Sequence, residues 1–200
     1  MRPLRVVVTG SECTGKTTLS RALAARFEAP CVPEFCRGYQ DARGLPLTAD
    51  DVEPIARGQI AEAETAEALS PRLVILDTDL VSTVVYSRHY YGTCPAWIED
   101  AARARRADLY LLCVPDLPWE ADNQRDRGDR REDMHRLFVE ALAGLGVLVE
   151  TVGGRGSSRE SAAVAAVIRT LRARLPEGTS PAIADIVRSS LNPDRRAGQE

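Results

Sequence analysis

A three-layer α/β/α sandwich on a five-stranded parallel sheet is the fold this sequence predicts, on three observations. Short, apolar, β-branched runs recur along its 200 residues and alternate with helical stretches, the pattern of strands buried on both faces by crossover helices. The first run leads directly into Gly10-Ser11-Glu12-Cys13-Thr14-Gly15-Lys16-Thr17, which spells G-x-x-x-x-G-K-[ST], a loop that needs a strand before it and a helix after it. Composition agrees, with 44% hydrophobic and 28% charged residues and no apolar run of membrane-spanning length.

The elements follow in order. Leu4-Arg5-Val6-Val7-Val8-Thr9 is the first strand, and Thr17 to Phe27 the helix behind the loop. Pro30-Cys31-Val32-Pro33 reads as a short, proline-limited strand ending at Glu34. Thr48 is placed to cap a long helix reaching about Leu69. Asp50, Asp51 and Glu53 lie in its first turn, where carboxylates favour the helix dipole, and Pro54 is early enough to be tolerated. Leu73-Val74-Ile75-Leu76 is a central strand that runs into Asp77-Thr78-Asp79. Helices are expected over Leu80–Tyr90 and Pro95–Arg106, then a strand over Leu109–Val114. Asp116 to Asp133 is dense in charge and reads as a mobile, arginine-rich lid. A helix over Met134–Leu142, a strand over Val147–Val152 and a helix over Ser161–Leu175 complete the domain. Residues 1–175 therefore form one unit with its lid at about 116–133. Residues 176–200, rich in proline and glycine, read as a flexible tail with at most one short helix around Ile183–Leu191.

The glycine loop carries the most specific chemistry. Glycines let the chain wrap an anion so that successive N–H groups and a helix N-terminus point at phosphate oxygens. Gly10, Glu12, Cys13, Thr14, Gly15, Lys16, Thr17 and Thr18 are the expected nucleotide-binding residues, with Lys16 reaching the β- and γ-phosphates of ATP and the Thr17 hydroxyl holding Mg²⁺. These assignments define a P-loop NTPase fold.

Right-handed crossovers gather the loop tips at the carboxyl edge of such a sheet, where ligands sit. Glu34, Asp77, Asp79 and the lid are expected to converge there on Lys16. Asp77 is the strand-end carboxylate suited to Mg²⁺ or substrate. Asp79 is suited to a substrate hydroxyl or, alternatively, to capping the next helix. Glu34 can hydrogen-bond to, or take a proton from, a hydroxyl that attacks the γ-phosphate, and Asp77 is the alternative base. Arg37, one helical turn on, pairs with Glu34 or binds substrate. Arg125 and Arg127 are the lid residues suited to neutralising charge in phosphoryl transfer; a solvated charged loop is the plainer reading of the segment. Tyr86, Tyr90, Tyr91 and Trp97 either stack on a planar ring or pack the core. Val152-Gly153-Gly154 offers backbone to an adenine, or is an ordinary turn.

Other readings are excluded or weakened. A net charge of −3 gives no general pull toward nucleic acid or an anionic membrane, and the lid's basic residues are interleaved with acids. Five cysteines with no C-x-x-C pair leave an odd thiol over, which argues for a reducing cytoplasm. Cys13 reads as small filler or an oxidation-sensitive thiol. His89 and His135 show no metal-ligand spacing.

Across residues 4 to 152 the chain resembles the ribosylnicotinamide kinase domain of NadR-type proteins, in the wider group of P-loop nucleoside-kinase-like ATPases. The likeness rests on G-S-E-C-T-G-K-T (10–17), P-E-F-C-R-G-Y (33–39), Gly58-Gln59, L-D-T-D (76–79), Y-Y-G (90–92) and P-W-E-A-D-N-Q-R (118–125). It implies MgATP-dependent phosphorylation of the 5′-hydroxyl of nicotinamide riboside. By position, Lys16 and Thr17 handle phosphate and metal, while Glu34, Arg37, Asp77 and Asp79 line the riboside side. Asp122 and Arg125 belong to the lid. Pro33 stands where the family motif tends to carry a tryptophan. Met1 lies nine residues before Gly10, so a standalone kinase is expected, without an adenylyltransferase or DNA-binding region ahead of it. The alternatives are a kinase of another nucleoside or of a polynucleotide 5′-end, or a regulatory ATPase with no small acceptor.

Overall fold

The computed structural model describes residues 2–44, 46–119 and 130–174. Five strands, β1 (Leu4–Thr9), β2 (Cys31–Val32), β3 (Leu73–Asp77), β4 (Leu109–Cys113) and β5 (Val149–Val152), form one sheet in the order β2-β3-β1-β4-β5. Every pairing is parallel. The expected class, strand number and direction are all present.

The sheet is buried on both faces, which is why β1, β3 and β4 are continuous apolar runs. Val6 and Val8 of β1 face α1 (Lys16–Phe27) and α7 (Ser157–Ala173), packing on Leu19, Leu23, Ala163 and Val167. Val7 faces the opposite layer of α3 (Val52–Ala68), α4 (Leu80–Tyr91) and α6 (Arg131–Leu145), with Ala63, Val85, Phe138 and Leu142. All three β1 valines are fully buried. A smaller apolar cluster joins α3 and α4 to α5 (Ala96–Ala104) through Ala56, Leu80 and Ile98.

Thr48 caps as expected, with a reciprocal capping box to Asp51, although a 3-10 turn (Ala49–Asp51) precedes α3. Several boundaries shift by a few residues, and two of the shifts bear on the site. α6 begins at Arg131, inside the segment read as lid, and α7 begins at Ser157. No helix is expected between Glu34 and Thr48 beyond the single turn that relates Arg37 to Glu34, yet Phe35–Arg43 forms α2. None of its residues is fully buried; its apolar face is three half-buried residues, Phe35, Cys36 and Tyr39, a stripe too short to stand out in the sequence. It stops at Gly44, whose φ of 66° is the left-handed geometry of a helix end. The expected tail, 176–200, lies outside the described residues, as do Asp122, Arg125 and Arg127 of the lid. No helix among the described residues is long and apolar enough to cross a membrane.

Candidate active site

Strand order assembles the site. β1 lies between β3 and β4, so the loop after β1 opens beside the ends of both. Gly10 turns the chain at φ 133°, and a Cβ there would stand 2.7 Å from the Cys113 carbonyl oxygen at the end of β4. Only glycine allows that approach. Gly15, at φ 75°, caps α1 with no side-chain bond. The first-turn amides of α1 are thus directed out of the helix toward the loop's concavity.

Inside the loop, the Thr14 hydroxyl donates to the Ser11 carbonyl at 2.8 Å. The Lys16 Nζ donates to the same oxygen at 2.9 Å. Thr14 is buried, so its side chain braces the loop from within, whereas Glu12, Cys13, Lys16 and Thr17 are half-buried and Thr18 is exposed.

Asp77 is opposite Val8 in the β1–β3 register and is buried. Burial raises its carboxyl above the ordinary value; a hydrogen bond from Thr17 and the charges of Lys16 and Arg37 pull it down, and the Glu34 carboxylate pushes it up. Four expected site residues therefore act on one buried acid. Its Oδ1 has no hydrogen-bond partner among the described residues. An orphaned carboxylate oxygen beside a threonine hydroxyl fits a hard divalent cation such as Mg²⁺. No group of three or more His, Cys, Asp or Glu side chains suited to a metal gathers among the described residues, so phosphate and water oxygens would complete such a shell.

The β2–β3 pairing carries Glu34 to the same edge, because Val32 lies opposite Leu76. Glu34 ends the strand segment and caps α2 without a side-chain cap bond. Its half-buried carboxylate stands 3.9 Å from Arg37. Tyr86 of α4 lies close by, its phenol raised well above the ordinary value by burial and then by the Glu12 and Glu34 charges. Tyr90 stacks on Tyr86 with centroids 6.1 Å apart and an interplanar angle of 10°. The aromatic group splits, since Tyr91 and Trp97 pack instead on the cluster of α3, α4 and α5.

Asp79 takes the second of the two roles expected of it, the helix cap. It is buried, its Oδ1 accepts the Val81 N–H at 3.0 Å and its Oδ2 accepts the Tyr110 hydroxyl at 2.7 Å. Both oxygens are engaged, one in capping α4 and one in anchoring it to β4. The turn between the two acids is strained: Thr78 is a β-branched residue at φ 67°.

Two arginines at the loop escaped the sequence reading. Arg159 of α7, buried, donates to Thr14 O at 2.6 Å, Gly154 O at 2.8 Å and Val114 O at 3.4 Å, and pairs with Asp116. Asp116 also accepts the Gly154 N–H at 2.6 Å. A helix expected to begin at Ser161 left Arg159 in a loop, where its charge was unremarkable. Arg131 donates to Leu117 O at 2.9 Å and to Cys13 O at 3.5 Å, and lies over the Trp119 ring. Among the described residues of the charged segment, Arg131 reaches the Cys13 carbonyl of the P-loop and Leu117 lies against Gly15.

A parallel sheet in this order, with a G-x-x-x-x-G-K-T loop behind its central strand and a strand-end acid beside that loop, defines a P-loop nucleotide-binding protein. The chain belongs to the AAA domain family, whose model matches residues 5–160. It is similar to the trifunctional NAD biosynthesis/regulator protein NadR of Escherichia coli (strain K12), with 29% identity over 143 residues, 68% of this chain and 35% of that protein. NadR of Salmonella typhimurium matches over the same shares, also at 29% identity. The chain thus spans 35% of the length of these curated relatives. Among solved structures, NadR protein in complex with NR superposes at TM-score 0.76 with 27% identity, covering 89% of this chain and 54% of that one. Thymidylate kinase from Ehrlichia chaffeensis shares the fold at TM-score 0.60 with 11% identity, covering 84% of this chain and 98% of that one.

Proposed function

We propose that this chain is a cytoplasmic, ATP-dependent kinase of NAD biosynthesis that phosphorylates the 5′-hydroxyl of nicotinamide riboside, with residues 1–175 as the working unit. The observation that carries the reading is the convergence on Asp77: a P-loop lysine and threonine on one side and the Glu34 carboxylate on the other. A regulatory ATPase needs the first side only. The similarity to NadR protein solved with NR, and to NadR protein solved with NAD and AMP-PNP at TM-score 0.73 and 28% identity, supports the choice of acceptor and of ATP.

The loop amides and Lys16 grip the β- and γ-phosphates, with Gly10, Gly15 and Cys13 shaping the cradle. Thr17 and Asp77 would hold Mg²⁺, which would neutralise charge between the phosphates. Glu34 takes the proton of the acceptor hydroxyl as its oxygen bonds to the γ-phosphorus and the bond to ADP breaks. Glu34 is the better base because Asp77 accepts from Thr17 and would be taken up as a ligand of the cation. Arg37 and the Tyr86–Tyr90 pair flank the acceptor, and Asp122, Arg125 and Arg127 act from the lid.

The test incubates the purified chain with MgATP and a panel of nicotinamide riboside, other nucleosides and 5′-hydroxyl oligonucleotides, following labelled phosphate. Transfer to nicotinamide riboside, lost by roughly 100-fold or more in Lys16→Ala, is the expected result. ATP hydrolysis that no acceptor stimulates would overturn it.

A further inference from the structure

α2 presents a packing problem. Glu34 stands at its N-terminus, yet no residue of α2 is fully buried, and only the half-buried face of Phe35, Cys36 and Tyr39 packs the helix. Polar tethers hold the backbone on either side of Glu34. Gln59 of α3 is 4% exposed, and its carboxamide reaches both peptide groups flanking Glu34. Its Oε1 accepts the Phe35 N–H at 2.9 Å, and its Nε2 donates to the Pro33 carbonyl at 3.3 Å. The neighbouring residue makes this approach feasible, because a Cβ at Gly58 would stand 2.1 Å from the Phe35 ring. At the far end, Asp51 accepts from the Tyr39 hydroxyl at 2.9 Å, pairs with Arg43 and closes its capping box with Thr48.

We propose that Gln59 is a positioning residue, which fixes the Glu34 carboxylate against Asp77 and the γ-phosphate by clamping the peptide units on either side of it. The inference rests on the reading of Glu34 as the group that meets the acceptor hydroxyl. A neutral carboxamide is suited to the task because it supplies one acceptor and one donor at once. An apolar side chain leaves both backbone groups unpaired, and a carboxylate leaves the Pro33 carbonyl without a donor. α3, which packs in the core through Ala56 and Ala63, thereby sets the reach of an acid it does not carry.

The experiment compares Gln59→Met and Gln59→Glu with wild type, using nicotinamide riboside as acceptor and calorimetry for ATP. In Gln59→Met, kcat falls by about 10- to 100-fold, since a misplacement near 1 Å costs on that order, while ATP affinity stays within about twofold. The kcat of Gln59→Glu relative to wild type rises as pH is lowered, because protonation restores the donor. A second readout needs no turnover. Cys36, in the first turn of α2, has its thiol pushed up to about 12 by burial and by Glu34, so its alkylation, followed by peptide mass, accelerates when the tether is cut. Unchanged kcat and unchanged Cys36 labelling in Gln59→Met overturn the proposal. Should wild type itself transfer no phosphate, the kinase reading fails; faster Cys36 labelling then still upholds the clamp, and unchanged labelling still overturns it.

Discussion

Replacing Arg159 with methionine removes the most heavily bonded charge beside the phosphate loop. Methionine keeps most of the apolar stem, so the loss is polar. Three carbonyls from three segments, Thr14, Val114 and Gly154, lose a donor, and Asp116 loses its ion-pair partner. Breaking a deeply buried pair costs about 3–5 kcal/mol. The Asp116 side chain is 35% exposed, however, so water takes over part of its hydration and the pair behaves more like a surface one, worth about 1 kcal/mol or less. The carbonyls add about 0.5–1 kcal/mol each. The expected cost is therefore roughly 2–4 kcal/mol, which in a domain of this size lowers Tm by about 4–16 °C. Thermal unfolding followed by circular dichroism, on Arg159→Met, Asp116→Asn and the double variant, measures it. The double variant should lose less than the summed singles, because the two groups share one interaction. ATP affinity should fall as well, since Thr14 loses its outer anchor. A Tm for Arg159→Met within about 1 °C of wild type would refute the reasoning.

Two further outcomes are expected. Gly10→Ala meets both the left-handed φ and the Cys113 carbonyl, so it should destabilise by about 2–4 kcal/mol and abolish ATP binding; calorimetry showing wild-type affinity would contradict the close approach. For Asp77, the folded carboxyl lies above its unfolded value, so the nucleotide-free protein loses stability as pH rises through that window, and its metal-dependent ATP affinity is lost as pH falls through it. Asp77→Asn should then raise the Tm of the nucleotide-free protein at neutral pH while removing the magnesium dependence of ATP binding. A lower Tm would reverse the assigned sign.

The P-loop could be read in the sequence because its chemistry is local: glycines, lysine and threonine act through backbone they themselves shape. The parallel sheet was equally legible, since strands buried on both faces must be apolar throughout. α2 was not, because its apolar face is only three half-buried residues. Its place comes also from Gln59 and Asp51 on the neighbouring segments, and hydrogen bonds between distant residues leave no periodicity. The two acids of Asp77-Thr78-Asp79 look alike as letters. Strand register turned one toward Lys16 and Thr17, while the helix cap and the Tyr110 hydroxyl took the other inward. Arg159 is the sharpest case, an ordinary arginine in sequence that becomes a joint between three segments only when the sheet brings their ends together. The sequence by itself determined which residues can bind phosphate and which runs must be core, because those are properties of single segments. The tertiary structure decided which acid faces the phosphates and what holds it there, because orientation depends on neighbours that lie far along the chain.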